Sequence, residues 1–264
     1  MDNVALSEHS SSVVQARRDP RDESDLSDRD YDALQYVLEG YEESQANVDL
    51  ALFKCSSRTP VSRCVNRLVA AGYLKVERWH RIGVNLLRGT TRGCKRLIER
   101  GVDASMLFVP EKPVAAKDLA HHMWINETRL ALSQIGLVDV WPCWTLRRKL
   151  GGRAIPDLLA FQTDEKGATT GVLAVEIDLG SEPLKNVFLP KLDILRELLA
   201  AQAAGQPAAI LVLTVGPRRI QALEAGIANR PHEIPIVVTA LPKATGRASI
   251  VALVNLLRQL RRAV

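Results

Sequence analysis

The chain has 264 residues, 47% of them hydrophobic and 25% charged, the make-up of a globular protein of one large or two modest domains. No apolar run nears the ~18 residues of a membrane-spanning helix, so the chain is expected to be soluble. The first thirty residues carry eight acids and resemble neither a secretory signal nor a transit peptide, which makes the cytoplasm the expected location. Cys55, Cys64, Cys94 and Cys143 are widely spaced, which argues against a structural zinc site, a redox motif and a disulfide framework. The net charge of +5 divides into −9 over residues 1–50, +10 over 51–100 and +4 over 101–264, so the positive charge is one compact block.

Residues 1–26 combine serines and opposed charges with little to bury, the composition of a disordered acidic tail. Ser27 and Asp30 then form a capping-box pattern, and Tyr31, Leu34, Val37, Leu38 and Tyr41 recur on one helical face. A short amphipathic piece covers Gln45 to Phe53. A third helix opens at Thr59 with Pro60 in its first turn; Val61, Cys64, Val65, Leu68 and Val69 make its apolar stripe, and Gly72 closes it. Leu74 to Trp79 and Val84 to Leu87 are strand-like runs separated by His80 to Gly83, the pattern of a hairpin. Three helices followed by a hairpin predict a winged helix-turn-helix over 27–101, with a further helix from Thr91 to Arg100.

Gly101, Pro110 and Pro113 mark 102–113 as a linker to a second domain over 114–264. There a helix from Val114 to Ile135 precedes three extended runs, Val138 to Lys149, Ala154 to Gln162 and Val172 to Asp178. A helix from Pro183 to Ala204 follows, then a strand from Ala208 to Val215, a helix from Arg218 to Ala228, a strand from Ile234 to Leu241 and a last helix from Ser249. The expected class is mixed, α+β / α/β, with an αβββαβ core and an αβα extension.

The basic block has the chemistry of groove binding. Ser62, Arg63, Asn66 and Arg67 occupy the outer face of the third helix, beside a hairpin carrying Lys75, Arg78 and Arg81. Arg58 and Thr59 stand at the helix start, where phosphates bind, while paired donors and acceptors on Arg63, Asn66 or Arg67 suit base edges. These nine residues are the candidate contacts to double-stranded DNA. A solvated face on a protein-interaction module is the competing reading.

In the second domain, Pro156-Asp157 opens one strand and Glu176-Ile177-Asp178 ends the next. Alternation puts Glu176 and Asp178 on one face, and Asp157 is expected to converge with them. Three gathered carboxylates need a cation, either Mg2+ or Mn2+ or a lysine. Lys191 supplies one, falling in a stripe with Leu184, Phe188, Leu195 and Leu198, although Pro190 is expected to start a fresh segment and shift its phase.

These residues resemble the PD-(D/E)XK nuclease superfamily, with its αβββαβ restriction-endonuclease-like core, a Pro-Asp on one strand and a Glu-x-Lys on the next. Asp178 stands where that motif has lysine, so the resemblance moves the lysine's role to Lys191 or Lys185. Pro156-Asp157, the run Glu176 to Glu182 and Lys191-Leu192 more specifically resemble the replication-relaxation family of plasmid and mobile-element proteins, across about residues 27–200. That resemblance implies a role in plasmid replication, relaxation or mobilisation. Were the site catalytic, Asp157 and Glu176 would ligate the metal, with Asp178 beside them and Lys191 orienting water or neutralising the phosphorane. Glu127 is a weaker candidate ligand. The expected partners are double-stranded DNA, a second copy of the chain, and replication or mobilisation proteins. The alternative is a non-catalytic transcriptional or replication regulator that dimerises through its second domain. Adjacent His121 and His122 point about 100° apart on a helix and are expected to be structural or surface residues. Trp124, Trp141 and Trp144 are expected in the core, and Arg147, Arg148, Lys149 and Arg153 precede the Pro-Asp strand.

Overall fold

The computed structural model describes residues 26–53, 59–79, 84–151, 155–203, 205–230, 233–243 and 247–263. Ser27 closes the expected capping box: its Oγ accepts from Asp30 N at 3.3 Å and Asp30 Oδ2 accepts from Ser27 N at 2.9 Å. The helix this opens, α1 (Asp28–Glu39), buries Tyr31, Leu34, Val37 and Leu38. A three-residue strand, β1 (Glu42–Ser44), follows, and Ser44 caps the short α2 (Gln45–Val48), which widens into one looser turn through Phe53. Helix α3 (Thr59–Ala70) buries Val61, Cys64, Val65 and Leu68.

Strands β2 (Leu74–Trp79) and β3 (Val84–Gly89) pair antiparallel, and β1 adds to the far side of β3, so the sheet order is β1-β3-β2. Sequence reasoning missed β1, because three residues are too few to show alternation. Helix α4 (Thr91–Glu99) is capped by Thr90, whose Oγ1 accepts from Gly93 N at 3.1 Å. Gly93 lets α4 lie against the start of β2, since a Cβ there would fall 2.6 Å from Tyr73 O. Residues 102–113 do not hang free: Leu107 and Phe108 are buried, and Phe108 N donates to Leu38 O at 2.9 Å.

The larger sheet is built from β4 (Val138–Pro142), β5 (Leu158–Thr163), β6 (Thr169–Asp178), β7 (Ala208–Thr214) and β8 (Ile236–Ala240), in that order. The pairs β4/β5 and β5/β6 are antiparallel; β6/β7 and β7/β8 are parallel, which requires the crossover helices α7 (Leu189–Ala203) and α8 (Pro217–Ala228). Period-two alternation divides β6 cleanly. Val175 and Ile177 join the core under α5 (Leu119–Gln134) and α9 (Arg247–Ala263), whereas Val172 and Ala174 pack with Phe188, Leu189, Leu192 and Leu195 of the α7 side. The described residues thus form a mixed α/β structure with two sheets, and no described helix is long and apolar enough to cross a membrane.

Three expectations are corrected. The run 138–149 is not one strand: β4 ends at Pro142 and Cys143–Leu150 forms α6, which buries Thr145 and Leu146 and leaves the Arg147–Lys149 charges outward. The first helix of this unit starts at Leu119, not Val114, and residues His122–Leu132 are buried on every side, so no polar face marked its limits. On α7 the buried stripe is Leu189, Leu192, Leu195 and Leu199, and Leu198 is 41% exposed, because a wider turn over Leu184–Phe188 shifts the phase ahead of Pro190.

One turn after another, α5 carries the seam to the first unit. His122 Nε2 donates to Glu42 O at 2.9 Å, and Asn126 Nδ2 donates to the same carbonyl at 2.6 Å. Arg129 reaches Tyr36 O at 3.1 Å and Glu43 Oε2 at 3.4 Å. Trp144 Nε1 donates to Glu39 O at 2.8 Å, and its ring stacks on His122 with centroids 4.9 Å apart. Burial pulls the His122 imidazole down to about 4 and pushes the Glu43 carboxyl up to about 7, the nearby Arg129 opposing the latter.

Candidate functional site

On the first unit, Arg63 and Asn66 are exposed along the outer face of α3, and Lys75 and Arg78 are exposed on opposite faces of β2. Among the described residues, Arg63, Lys75 and Arg78 form no ion pair. Thr59 opens α3. Ser62 Oγ accepts from Gln45 Nε2 at 3.0 Å, and Gln45 Oε1 accepts from Asn85 Nδ2 at 3.1 Å, which ties the start of α3 to β3. Arg67 departs from expectation. Its guanidinium grips the buried Asp30 carboxylate bidentately through Nε and Nη2, at 3.2 and 2.6 Å, so it braces α3 against α1. Burial opposes ionisation of Asp30, but hydrogen bonds from Arg67, Cys64 and Ser27 hold its carboxyl below the usual range. Arg58 and Arg81 lie outside the described residues.

The acid cluster forms where β5 begins and β6 ends. The antiparallel ladder pairs Leu158 with Val175, so its next step sets Asp157 opposite Glu176. Both are buried, at 6% and 1% exposure. Asp157 Oδ2 accepts from Ile177 N at 2.8 Å, an anchor that places the carboxylate at the edge of the ladder. Lys191, from the first turns of α7, donates to Glu176 Oε2 at 2.5 Å. Burial and then the Asp157 charge push Glu176 well above the ordinary carboxylate range; the same two acids outweigh burial at Lys191 and raise it, so the ammonium holds its proton. Glu176 Oε1 is buried without a hydrogen-bond partner.

Asp178 does not join them. It shares the Glu176 face but lies one step further along, where Arg219 Nε and Nη2 bind its two oxygens at 2.7 and 3.1 Å. Thr214 Oγ1 and Gly180 N complete its shell at 2.8 and 2.9 Å. The expected meeting of three acids is therefore a pair, with the third neutralised by an arginine from the first turn of α8. Glu127 is also elsewhere: buried on α5, it accepts from Ser249 Oγ of α9 at 2.5 Å.

Sequence reasoning missed His121. From the first turn of α5, its Nε2 stands 3.1 Å from Asp157 Oδ2 and 3.0 Å from Ile177 O. Both are acceptors, so Nε2 carries a hydrogen. Burial works against the imidazolium, but Asp157 outweighs it and raises the His121 pKa above its ordinary value. Nothing in the local sequence signals this contact, which spans 36 residues. Cys143 is half-buried near the same acids, and its thiol is pushed up to about 11, first by desolvation and then by Asp157.

Among the described residues no three His, Cys, Asp or Glu side chains gather closely enough to hold a metal ion between them. The acceptors that share a donor at this point are the Asp157 carboxylate and the Ile177 carbonyl, both within reach of His121 Nε2. A cavity of about 520 Å³ lined by Asp193, Arg196, Glu197, Arg230 and Glu233 shares no residue with the cluster. Compared with known proteins, the chain matches no family model, no curated protein and no solved structure, so its functional reading stands on these residues alone.

Proposed function

We propose that this chain is a DNA-binding protein of the replication-relaxation type, in which a winged helix-turn-helix over 27–101 engages double-stranded DNA and a restriction-endonuclease-like domain acts on it. The observation that carries the reading is the facing of Asp157 and Glu176 across the β5–β6 ladder with Lys191 bound to Glu176. Two acids from adjacent strands and a lysine close to a scissile group are what metal-assisted phosphodiester hydrolysis requires. The partnerless Glu176 Oε1, buried next to a second carboxylate, fits a cation: an orphan acceptor in that field is costly unless a positive charge faces it. Asp157 and Glu176 would hold Mg2+ or Mn2+, which supplies an activated water and charge stabilisation at the phosphate. Lys191 fixes the Glu176 carboxylate and brings a positive charge to the site, while Asp178 keeps the β6 end rigid through Arg219. Arg63, Asn66, Lys75 and Arg78 are the DNA contacts this reading retains, since Arg67 is committed to Asp30.

A second reading, a replication or transcription regulator without catalysis, is favoured by one observation: Lys191 and His121 already neutralise the two acids. The test is nicking of supercoiled plasmid with Mg2+ or Mn2+, beside fluorescence anisotropy of a labelled duplex. The proposal expects metal-dependent nicking lost in Asp157→Ala and Glu176→Ala while duplex binding persists. Duplex binding without nicking leaves the regulator, and loss of neither in Arg63→Ala/Arg78→Ala places the DNA surface elsewhere.

A further inference from the structure

A sheet edge left open is a binding surface, since its outward N–H and C=O groups lack partners. Among the described residues, three of the four sheet edges are blunted. β1 has three residues, and its Glu42 carbonyl is taken by His122 and Asn126 of α5. β2 carries Lys75, Glu77 and Arg78. β4 has Asp139 at φ 48°, a register shift between Val138 and Trp141, and Pro142 at its end. β8 has none of these: Ile236, Val237, Val238, Thr239 and Ala240 include no charge, and its ladder to β7 runs without a shift. Ile236 and Val238 pack with the α7 side and Val237 with the core under α9, so both faces of β8 are covered. Every residue of the strand is nonetheless half-buried or exposed, so its opening is lateral.

The parallel ladder fixes which groups face out. Pro235 O accepts from Ile210 N at 2.9 Å and Leu241 N donates to Thr214 O at 2.8 Å, so the odd-numbered residues of 235–241 bond β7, and Ile236, Val238 and Ala240 turn their N–H and C=O groups away from it. No described strand pairs with them. We infer that β8 joins β8 of a second copy of the chain, antiparallel about a two-fold axis at Val238, so that two five-stranded sheets become one. In that register Val238 pairs with its own image and Ile236 with Ala240 of the second copy. Three N–H and three C=O groups on each chain then find partners, six hydrogen bonds across the axis. An uncharged strand meets its own image without repulsion, which the charged β2 could not do. One strand edge falls short of the ~1,200 Å2 of a specific interface, and α9 widens it. That helix is tied to α5 through Ser249 and Glu127, so Val251, nearly opposite Ser249 on the helix and 55% exposed, stands on the β8 side. The inference goes beyond the DNA reading and does not depend on it. Combined with that reading, it relates two winged helices by a two-fold axis, the symmetry of a palindromic duplex.

The experiment uses the full chain. Its mass is followed by sedimentation from low to high micromolar concentration, and amide hydrogen exchange is read residue by residue at both ends of that range. The expected result is a monomer that becomes a dimer, with the amides of Ile236, Val238 and Ala240 gaining protection in step, while Val237 and Thr239, bonded to β7, are protected throughout. Ala240→Pro removes two of the six hydrogen bonds, and an edge strand tolerates proline where its N–H faces outward, so the variant should fold as wild type by circular dichroism and dimerise about tenfold more weakly or worse. Val251→Lys, at an exposed position, should weaken the dimer without disturbing the monomer. A chain that stays monomeric at every concentration, a dimer whose three outward amides exchange freely, or a dimer indifferent to both variants overturns the inference. Protection of those amides at every concentration would mean that another segment of the same chain covers the edge, and overturns it too.

Discussion

Glu176 and Asp178 occupy the same face of β6, two residues apart, and the fold treats them oppositely. Asp178 accepts four hydrogen bonds, two of them from Arg219, so its charge is matched and every oxygen engaged. Glu176 has one partner, Lys191, and keeps a buried oxygen empty. A saturated carboxylate contributes rigidity, whereas an unsaturated one retains capacity for a ligand. The same contrast divides two arginines one helical turn apart on α3: Arg67 is engaged by Asp30, and Arg63 is exposed with no ion pair among the described residues.

If that division holds, the largest effect belongs to the saturated acid. Arg219→Ala leaves Asp178 buried with its guanidinium gone and should lower stability in urea by about 3 kcal/mol, with the metal response unchanged. Glu176→Gln takes the carboxylate from Lys191 but relieves its repulsion with Asp157, so it should cost less than Arg219→Ala, about 2 kcal/mol, yet it should eliminate metal-induced stabilisation. Equal losses in the two variants would break the comparison.

The seam on α5 gives a test of comparable size through pH. His122, with its pKa lowered by burial from 6.5 to about 4, stays neutral in the fold. As pH falls below 6.5 the unfolded chain takes up a proton that the native chain refuses, so stability is lost down to about pH 4, by roughly 3 kcal/mol. Glu43 has the opposite sign: raised from 4.5 to about 7, it binds a proton in the native state first and gains stability as pH falls from about 7 to 4.5. Urea titrations of wild type and His122→Gln across this range should separate them, the variant becoming relatively more stable as pH falls. Parallel curves would mean that His122 charges freely within the fold. The smallest effects fall on α3: Arg67→Ala should cost about 1 kcal/mol and spare DNA binding, whereas Arg63→Ala should spare stability and reduce the salt slope of duplex binding by about 1.

What the sequence discloses follows from what is local. The capping box at Ser27, the outward face of α3, the alternation along β6 and the facing of Asp157 and Glu176 are all set by residues within a few positions or on neighbouring strands, and periodicity reveals them. The partner of each charge is not local. Arg67 meets Asp30 across 37 residues, Arg219 meets Asp178 across 41 and His121 meets Asp157 across 36, contacts fixed only when the layers pack. α6 was hidden for a related reason, since no glycine interrupts the chain at Pro142 and burial of Thr145 and Leu146 decides its conformation.

The central claim is that Asp157 and Glu176 form one cation site. Calorimetric titration of Mn2+ into the wild-type chain should give a single binding event at one site per chain, absent in Asp157→Asn and in Glu176→Gln, both of which keep the wild-type fold by circular dichroism. Heat of binding that survives either substitution, or no heat in the wild type, contradicts it.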